Sequence, residues 1–265
     1  MEIIRPNPAP GRLRHAVFDF DGTLSLIRAG WPEVMAEVML DVLRPLANGE
    51  TEAELRARTA EPIFGMAGRP TLMQMQWLAD EVARRGGAPQ PAEDYKALYL
   101  RRMEEQVHHL ADVQAGRKTA EEVRVPGALA FVAALAARGV ICYIASGTDE
   151  TAIQYEAEVL GLARYMAEIR GARPDGSEAK RVLIAQVCAA HGLGPGELAA
   201  IGDGRAEMEC ARSVGGLAIG VASNEAERRG VDAQKRRQLI EAGADVIIPD
   251  FSEPAAVLAY LWPNE

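Results

Sequence analysis

The chain of 265 residues is 48% hydrophobic and 25% charged, a composition typical of a globular protein with enough apolar material for a core. Its formal net charge of −9 argues against a nucleic acid or an anionic membrane held by a broad basic surface. Three scattered cysteines without a CxxC pair indicate neither a disulfide framework nor a zinc site, and no stretch has the ~20 consecutive apolar residues of a membrane span. We therefore expect a cytoplasmic protein with no nucleic-acid or membrane partner; the sequence carries no signal for an oligomeric state.

The first predicted strand ends in two aspartates that are separated by one residue, Asp19 and Asp21. Side chains two positions apart in a strand point to the same side, so both carboxylates emerge together where the strand breaks into a turn at Gly22. Such a pair suits metal binding by oxygen ligands, or a nucleophile that acts beside a general acid. The alternative is an ordinary strand end followed by a solvated Asp-Gly turn.

The region over residues 31–124 shows helical periodicity and no convincing strand. Apolar residues recur at helical spacing over 31–47, 72–84 and 95–113. The segment 64–71 contains two glycines and predicts a turn between helices. We therefore predict a helical bundle in this part of the chain.

From Val125 onward, short apolar strands alternate with helices. The predicted strands are 140–145, 166–169, 198–201, 217–221 and 246–248, and the predicted helices are 126–138, 149–160, 179–191 and 206–214. This alternation predicts an α/β fold, a parallel sheet with helices on both faces, to which the first strand also belongs. The helical region is then an insertion, and the polar connection over 223–243 is expected to be a solvated helical excursion.

Several candidate residues follow the predicted strands, and ligands of such sheets bind beyond the carboxyl ends of the strands. Ser146 offers a hydroxyl and Gly147 a backbone N–H that a phosphate oxygen can approach, although this segment is also a good helix start. Asp203 and Glu207 are one helical turn apart, so both could serve one hydrated divalent cation. Lys180 is the remaining candidate cation, although a single lysine is usually a solvated surface residue.

Together these motifs resemble those of the haloacid dehalogenase (HAD) superfamily, specifically its phosphoglycolate-phosphatase-like members with an inserted helical cap. The segment 19–24 is similar to the first motif, Ser146 to the second, Lys180 to the third and the segment 202–207 to the fourth. Glu207 departs from the pattern, because many relatives carry aspartate at that position.

The resemblance also implies how the chain is divided. A Rossmann-like, HAD-like α/β core would be formed by residues 1–27 and 125–265. An α-helical cap domain would span residues 28–124.

The resemblance implies a Mg²⁺-dependent phosphatase that hydrolyses a small phosphorylated metabolite, of the sugar phosphate or phosphoglycolate type, through an aspartyl-phosphate intermediate. Asp19 would be the nucleophile and Asp21 the general acid and base. The metal would be held by the carboxylates of Asp19 and Asp203 and the main-chain carbonyl of Asp21, with Glu207 fixing coordinated water. The phosphoryl oxygens would be bound by Ser146, Gly147 and Lys180.

Two alternatives to a phosphatase stay open. A phosphosugar mutase of the same fold uses the same carboxylate pair and metal, and a non-catalytic member would only bind a phosphorylated ligand. Substrate choice is expected to lie in the cap, where Arg69 and Arg28 are candidates for binding an anionic or hydroxylated substrate tail. For Arg69, the alternative is an exposed arginine in a turn between helices.

Overall fold

The computed structural model describes residues 1–172 and 179–263, and its centre is one seven-stranded sheet. The strands are β1 (Glu2–Ile3), β2 (His15–Phe18), β3 (Ile141–Asp149), β4 (Met166–Ala172), β5 (Leu198–Gly202), β6 (Leu217–Val221) and β7 (Val246–Ile248). Their order across the sheet is β1-β7-β6-β5-β2-β3-β4. Neighbouring strands from β7 to β4 pair in parallel, and the short β1 pairs antiparallel with β7. The predicted α/β fold with a parallel sheet is confirmed.

Five α-helices follow β2 over residues 31–114. They are α1 (Trp31–Leu43), α2 (Glu52–Gly65), α3 (Thr71–Arg84), α4 (Ala92–Gln106) and α5 (His109–Gln114). The buried side chains of the first four form a hydrophobic cluster of their own, which includes Met39, Leu43, Met75 and Leu78, whereas Leu110 and Val113 of α5 pack against a cluster of the sheet. The inserted helical region therefore has its own core.

Six further helices cover the two faces of the sheet. They are α6 (Ala128–Ala137), α7 (Glu150–Val159), α8 (Ala179–His191), α9 (Arg205–Ser213), α10 (Ala233–Glu241) and α11 (Pro254–Leu261). Phe18 of β2 packs in one cluster with residues of α6, α7 and α11, whereas Val17 packs in a second cluster with residues of α8, α9 and α10. Successive strand residues point to opposite faces, so the uninterrupted apolar strands are explained by burial on both sides.

Two predictions for the helical region are wrong in detail. Periodicity predicts no helix over Glu52–Gly65, yet α2 forms there with a capping box between Thr51 and Glu54. The predicted helix over 95–113 is interrupted, because Val107 has an extended backbone between α4 and α5. Neither glycine nor proline marks this break in the sequence.

The chain enters and leaves the helical region side by side. The N–H of Leu26 donates to the carbonyl of Val123 over 2.8 Å, and the N–H of Val125 donates to the carbonyl of Leu24 over 3.2 Å. These bonds join the two crossing segments into a single junction. We propose that the junction separates a core of residues 1–27 and 125–265 from a cap of residues 28–124.

Within the described ranges, the helices are too short or too polar for any of them to cross a membrane.

Candidate active site

Strand β2 delivers Asp19 and Asp21 to the carboxyl edge of the sheet. The N–H of Asp19 donates to the carbonyl of Ile201 over 2.8 Å, which extends the pairing of β2 with β5 by one residue. The chain then turns, and the carbonyl of Phe20 accepts the N–H groups of the residues at 23, 24 and 25. Gly22 has a φ of 72°, and a Cβ atom there would overlap Oδ2 of Asp203. Glycine is therefore needed for the close approach of this turn to the end of β5.

Lys180 lies beside Asp19 in the buried floor of the site. Its Nζ is 3.0 Å from Oδ1 of Asp19 and also contacts Oε1 of Glu207. The three residues are 4%, 4% and 2% exposed. The other carboxylate oxygen of Glu207 accepts the N–H of Gly204 over 3.1 Å, at the start of α9. Lys180 is therefore buried between two carboxylates. It is not the solvated surface lysine that the sequence alone also allows.

Burial raises the pKa of Asp19 well above its usual range, because the charged form loses water. The adjacent Lys180 opposes this shift, and the carboxylates of Glu207, Asp203 and Asp21 add to it. Burial alone would lower the pKa of Lys180, yet the net direction is upward because Asp19 and Glu207 stabilise the ammonium. A buried carboxylate in this position needs cations nearby to stay ionised.

Both carboxylate oxygens of Asp21 have partners. The hydroxyl of Thr148 donates to Oδ2 over 2.8 Å, and Nη1 of Arg28 lies 3.2 Å from Oδ1. Arg28 in turn pairs with both carboxylate oxygens of the buried Glu156 in α7, over 2.5 and 2.7 Å. The predicted specificity residue Arg28 thus reaches the site, with its guanidinium engaged by two carboxylates.

Strand β3 places Ser146 and Gly147 on the other side of Asp21. The strand continues to Asp149, four residues beyond its predicted end. The hydroxyl oxygen of the buried Ser146 accepts the N–H of Thr148 over 3.1 Å. The sequence analysis does not predict Thr148 or Glu156 as site residues. Thr148 lies two positions after Ser146, as Asp21 lies two positions after Asp19, and this spacing is a signal that indicates Thr148.

The turn over residues 66–70, which joins α2 to α3, closes the site from the cap side; we call it the cap turn. A Cβ atom at Gly147 would overlap the carbonyl oxygen of Arg69. A Cβ atom at Gly204 would lie 2.9 Å from the carbonyl oxygen of Ala67, and one at Gly68 would lie 2.7 Å from Nζ of Lys180. Three glycines therefore allow the cap turn to lie directly on the sheet edge.

The cap turn encloses a cavity of about 70 Å³. Its walls include most of the predicted site residues, namely Asp19, Asp21, Arg28, Arg69, Ser146, Gly147 and Asp203, together with Trp31, Met35, Tyr99 and Thr148. Lys180 lines a neighbouring small cavity with Ser146 and Gly147. The guanidinium of Arg69 is 3.9 Å from the carboxylate of Glu209, at the rim.

Asp203, at the end of β5, contacts a cation from the polar connection between β6 and β7. Nζ of Lys235 lies 2.7 Å from Oδ2 of Asp203 and 2.6 Å from Oε1 of Glu225. The prediction of a helix in this connection is correct, since α10 forms there, but the prediction of a solvated segment is wrong for Glu225 and Lys235. Their sequence context, rich in charged residues, gave no sign of burial.

The four predicted metal-site residues each contact a cationic side chain. Over residues 1–172 and 179–263, no three His, Cys, Asp or Glu side chains converge as a metal-binding group. The donor chemistry nevertheless fits a hard divalent cation, because the carboxylates of Asp21, Asp203 and Glu207 all act electrostatically on the buried Asp19. Such a concentration of negative charge in a buried site favours binding of a dication.

The family model for haloacid dehalogenase-like hydrolases matches residues 13–215. No curated protein sequence gives a match to the chain.

Solved structures of similar fold cover nearly the whole chain. A hydrolase from Pseudomonas syringae is 19% identical, with a TM-score of 0.62 over 94% of this chain and 99% of that one. A predicted phosphoglycolate phosphatase from Haemophilus somnus is 16% identical, with a TM-score of 0.58 over 93% and 98% of the two chains. A provisionally named beta-phosphoglucomutase from Thermotoga maritima is 17% identical, with a TM-score of 0.54 over 93% and 98%. The structural similarity supports the fold, and the family match shows that the chain belongs to the haloacid dehalogenase-like hydrolases.

Proposed function

We propose that the protein is a Mg²⁺-dependent phosphatase that hydrolyses a small phosphomonoester through an aspartyl-phosphate intermediate. The observation that carries this function is the pairing of buried Asp19 with Lys180, beside Asp21, in a cavity closed by the cap turn. A nucleophile, a general acid and a cation for the phosphoryl group are the parts that phosphoryl transfer requires.

Asp19 and Asp21 divide the two chemical steps. The Asp19 carboxylate attacks phosphorus while the bond from phosphorus to the substrate's bridging oxygen breaks, and Asp21 donates a proton to that oxygen. Water then attacks the phosphorus of the aspartyl phosphate and gives its proton to Asp21, which releases inorganic phosphate and regenerates Asp19. The Thr148 and Arg28 contacts would hold the Asp21 carboxyl toward the cavity during both steps.

Mg²⁺ would be held by the carboxylates of Asp19 and Asp203 and by the main-chain carbonyl of Asp21, with Glu207 behind them. When bound, it offsets the repulsion between an anionic nucleophile and an anionic substrate. The phosphoryl oxygens would be bound by the Ser146 hydroxyl, the Gly147 N–H and the Lys180 ammonium.

The residues that line the cavity favour a small polar substrate. A sugar phosphate or phosphoglycolate would place its polar groups beside Arg28 and Arg69 and its carbon skeleton beside Trp31 and Tyr99. Arg69 would bind the part of the substrate that faces the cap.

A phosphosugar mutase is the second candidate, because a provisionally named beta-phosphoglucomutase is among the proteins of similar fold. A mutase would pass the phosphoryl group from Asp19 to a second sugar hydroxyl rather than to water. The two functions therefore differ in product: free phosphate for a phosphatase, and an isomeric sugar phosphate for a mutase.

The test is release of inorganic phosphate from p-nitrophenyl phosphate, phosphoglycolate and a set of sugar phosphates, with Mg²⁺ or with EDTA. We expect Mg²⁺-dependent release, and Asp19→Asn should lower kcat at least ~10³-fold, equivalent to about 4 kcal/mol of transition-state stabilisation. Asp80→Asn, an exposed position in α3, is the matched control and should keep wild-type turnover.

Three results would each contradict a part of the proposal. Undiminished release of inorganic phosphate by Asp19→Asn would exclude the aspartyl-phosphate intermediate. Isomerised sugar phosphate without free phosphate would identify a mutase. Binding of phosphorylated compounds with no turnover of any of them would identify a non-catalytic member.

A further inference from the structure

A lysine from the connection between β6 and β7 lies against Asp203. Nζ of Lys235 is 2.7 Å from Oδ2 of Asp203, 2.6 Å from Oε1 of Glu225 and 3.3 Å from Oγ of Ser223. An ammonium group has three N–H donors, so these three oxygens occupy all of them. The side chain of Lys235 is 23% exposed, and those of Asp203 and Glu225 are each 15% exposed.

The backbone fixes this cluster from two directions. Lys235 is in the first turn of α10, and its N–H donates to the carboxylate of Asp232, the N-cap residue, over 2.8 Å. The hydroxyl of Ser223 donates to the carbonyl of Gly22 over 2.6 Å, within the turn that follows Asp21. The lysine cluster of Ser223, Glu225 and Lys235 is thus attached to the turn that carries the catalytic carboxylates.

The oxygens held by Lys235 converge on that same turn. A Cβ atom at Gly22 would overlap Oδ2 of Asp203 and would lie 3.0 Å from Oε1 of Glu225. Glu225 also interacts electrostatically with Asp203 and Asp21. Glu225 is therefore a further carboxylate at the edge of the predicted metal site, and Lys235 is the cation that separates it from Asp203.

We propose that Lys235 is a built-in counter-ion that holds Asp203 and Glu225 together in the metal-free protein and weakens binding of the divalent cation. Lys235 has this role if Asp203 is a metal ligand, as in the proposed function. A fixed positive charge next to a ligand carboxylate repels an arriving dication, and this repulsion is strong where water is largely excluded. Loss of the lysine would also free the Asp203 side chain to rotate, but a side chain with two rotatable bonds loses little entropy when a metal orders it.

The test is calorimetric titration of the full chain with Mg²⁺, together with the melting temperature of the metal-free protein. Lys235→Met keeps the length of the side chain and removes its charge. We expect Mg²⁺ to bind at least about tenfold more tightly to Lys235→Met than to the wild type, because the repulsion is lost and Glu225 is left unneutralised. The metal-free melting temperature should fall, and saturating Mg²⁺ should restore most of the loss.

Three further variants separate charge from packing. Lys235→Arg keeps the charge and should bind Mg²⁺ with nearly wild-type affinity. Glu225→Gln combined with Lys235→Met removes both charges, so it should fold without an unpaired carboxylate and bind Mg²⁺ less tightly than Lys235→Met alone. Lys96→Met is the matched control, because Lys96 pairs with Asp149 and contacts none of the predicted ligands over the described ranges; its Mg²⁺ affinity should be unchanged.

Unchanged or weaker Mg²⁺ binding by Lys235→Met would overturn the counter-ion role and would indicate that the lysine is needed to orient Asp203. If Lys235→Met does not fold, the double variant is compared with Glu225→Gln alone: tighter Mg²⁺ binding by the double variant supports the role, and equal or weaker binding overturns it. Calorimetry measures Mg²⁺ binding without turnover. The counter-ion role of Lys235 and the phosphatase function can therefore be refuted independently of each other. A chain without phosphatase activity that shows the affinity change keeps the counter-ion role, whereas an active phosphatase without the change loses only that role.

Discussion

Arg28 connects Asp21, the proposed general acid, to the body of the core. Its guanidinium contacts Asp21 and also pairs with both oxygens of Glu156, whose side chain is 4% exposed. Burial raises the pKa of Glu156, and the adjacent Arg28 opposes that shift. Arg28 is the first residue of the predicted cap, whereas Glu156 belongs to α7 of the core. The ion pair therefore also holds the start of the predicted cap against the core. We infer that Arg28 acts mainly by positioning Asp21, because its charge is already shared between two carboxylates.

Removing one member of the Arg28–Glu156 pair should be more harmful than removing both. Arg28→Met leaves a buried carboxylate without its partner, and we expect a loss of about 3–5 kcal/mol in the free energy of unfolding. Combining it with Glu156→Met removes the stranded charge and should recover a large part of that loss. Urea unfolding of the wild type, both single variants and the double variant measures the coupling; strictly additive losses would contradict a direct buried pair.

Three motif residues of the site are predictable from sequence because each lies at the carboxyl end of a strand, and parallel strands bring these ends to one edge. Asp19, Ser146 and Asp203 illustrate this, since they line one cavity. Lys235 is not predictable in the same way. Its contact with Asp203 depends on how α10 packs against the sheet, and a charged segment gives no periodic signal for that packing.

At the scale of elements, the cap turn between α2 and α3 determines how closely the cap approaches the core. The carbonyl groups of Ala67 and Arg69 lie over Gly204 and Gly147, where any side chain would obstruct them. The turn therefore contacts the core through backbone atoms, and its position depends on small residues from both sides. Closure of this kind excludes water from the reacting groups.

A methyl group at position 147 should hold the cap turn away from the sheet. Gly147→Ala is expected to lower kcat/KM at least ~10-fold, because a displaced cap turn misplaces the substrate and admits water. Gly65→Ala is the matched control, since Gly65 has an ordinary backbone conformation and a Cβ atom there would be 3.9 Å from its nearest neighbour. The two variants should unfold at similar urea concentrations; equal kcat/KM values would show that the close approach is not needed for turnover.

Most elements of the core are predictable because short apolar strands and amphipathic helices alternate with clear periods. The strands over Leu217–Val221 and Val246–Ile248 have the predicted bounds. In the cap, α2 buries only Leu55, Thr59, Pro62 and Ile63, so its apolar period is weak. The Thr51–Glu54 capping box is the signal that indicates its start.

At the scale of the whole molecule, the site lies where three separate hydrophobic clusters meet. Two clusters cover the faces of the sheet and the third fills the cap, so the sheet edge at Asp19 is the surface between independently packed units. Two adjacent segments, near Leu24 and Val123, carry the chain between the core and the proposed cap, and side-chain bonds such as Lys96–Asp149 and Gln114–Tyr155 also join the two. We expect the sheet to hold the site residues in place while the proposed cap opens for substrate exchange.

Phosphorylation of Asp19 itself is the most direct test of the proposed chemistry. Radiolabelled p-nitrophenyl phosphate is mixed with the protein and Mg²⁺, the reaction is quenched in acid, and the hydroxylamine-sensitive label is mapped to a peptide. We predict label on the peptide that contains Asp19 in the wild type, loss of the label as turnover is completed, and no label in Asp19→Asn. Turnover without label at Asp19, or equal labelling of Asp19→Asn, would contradict the nucleophilic role of this aspartate.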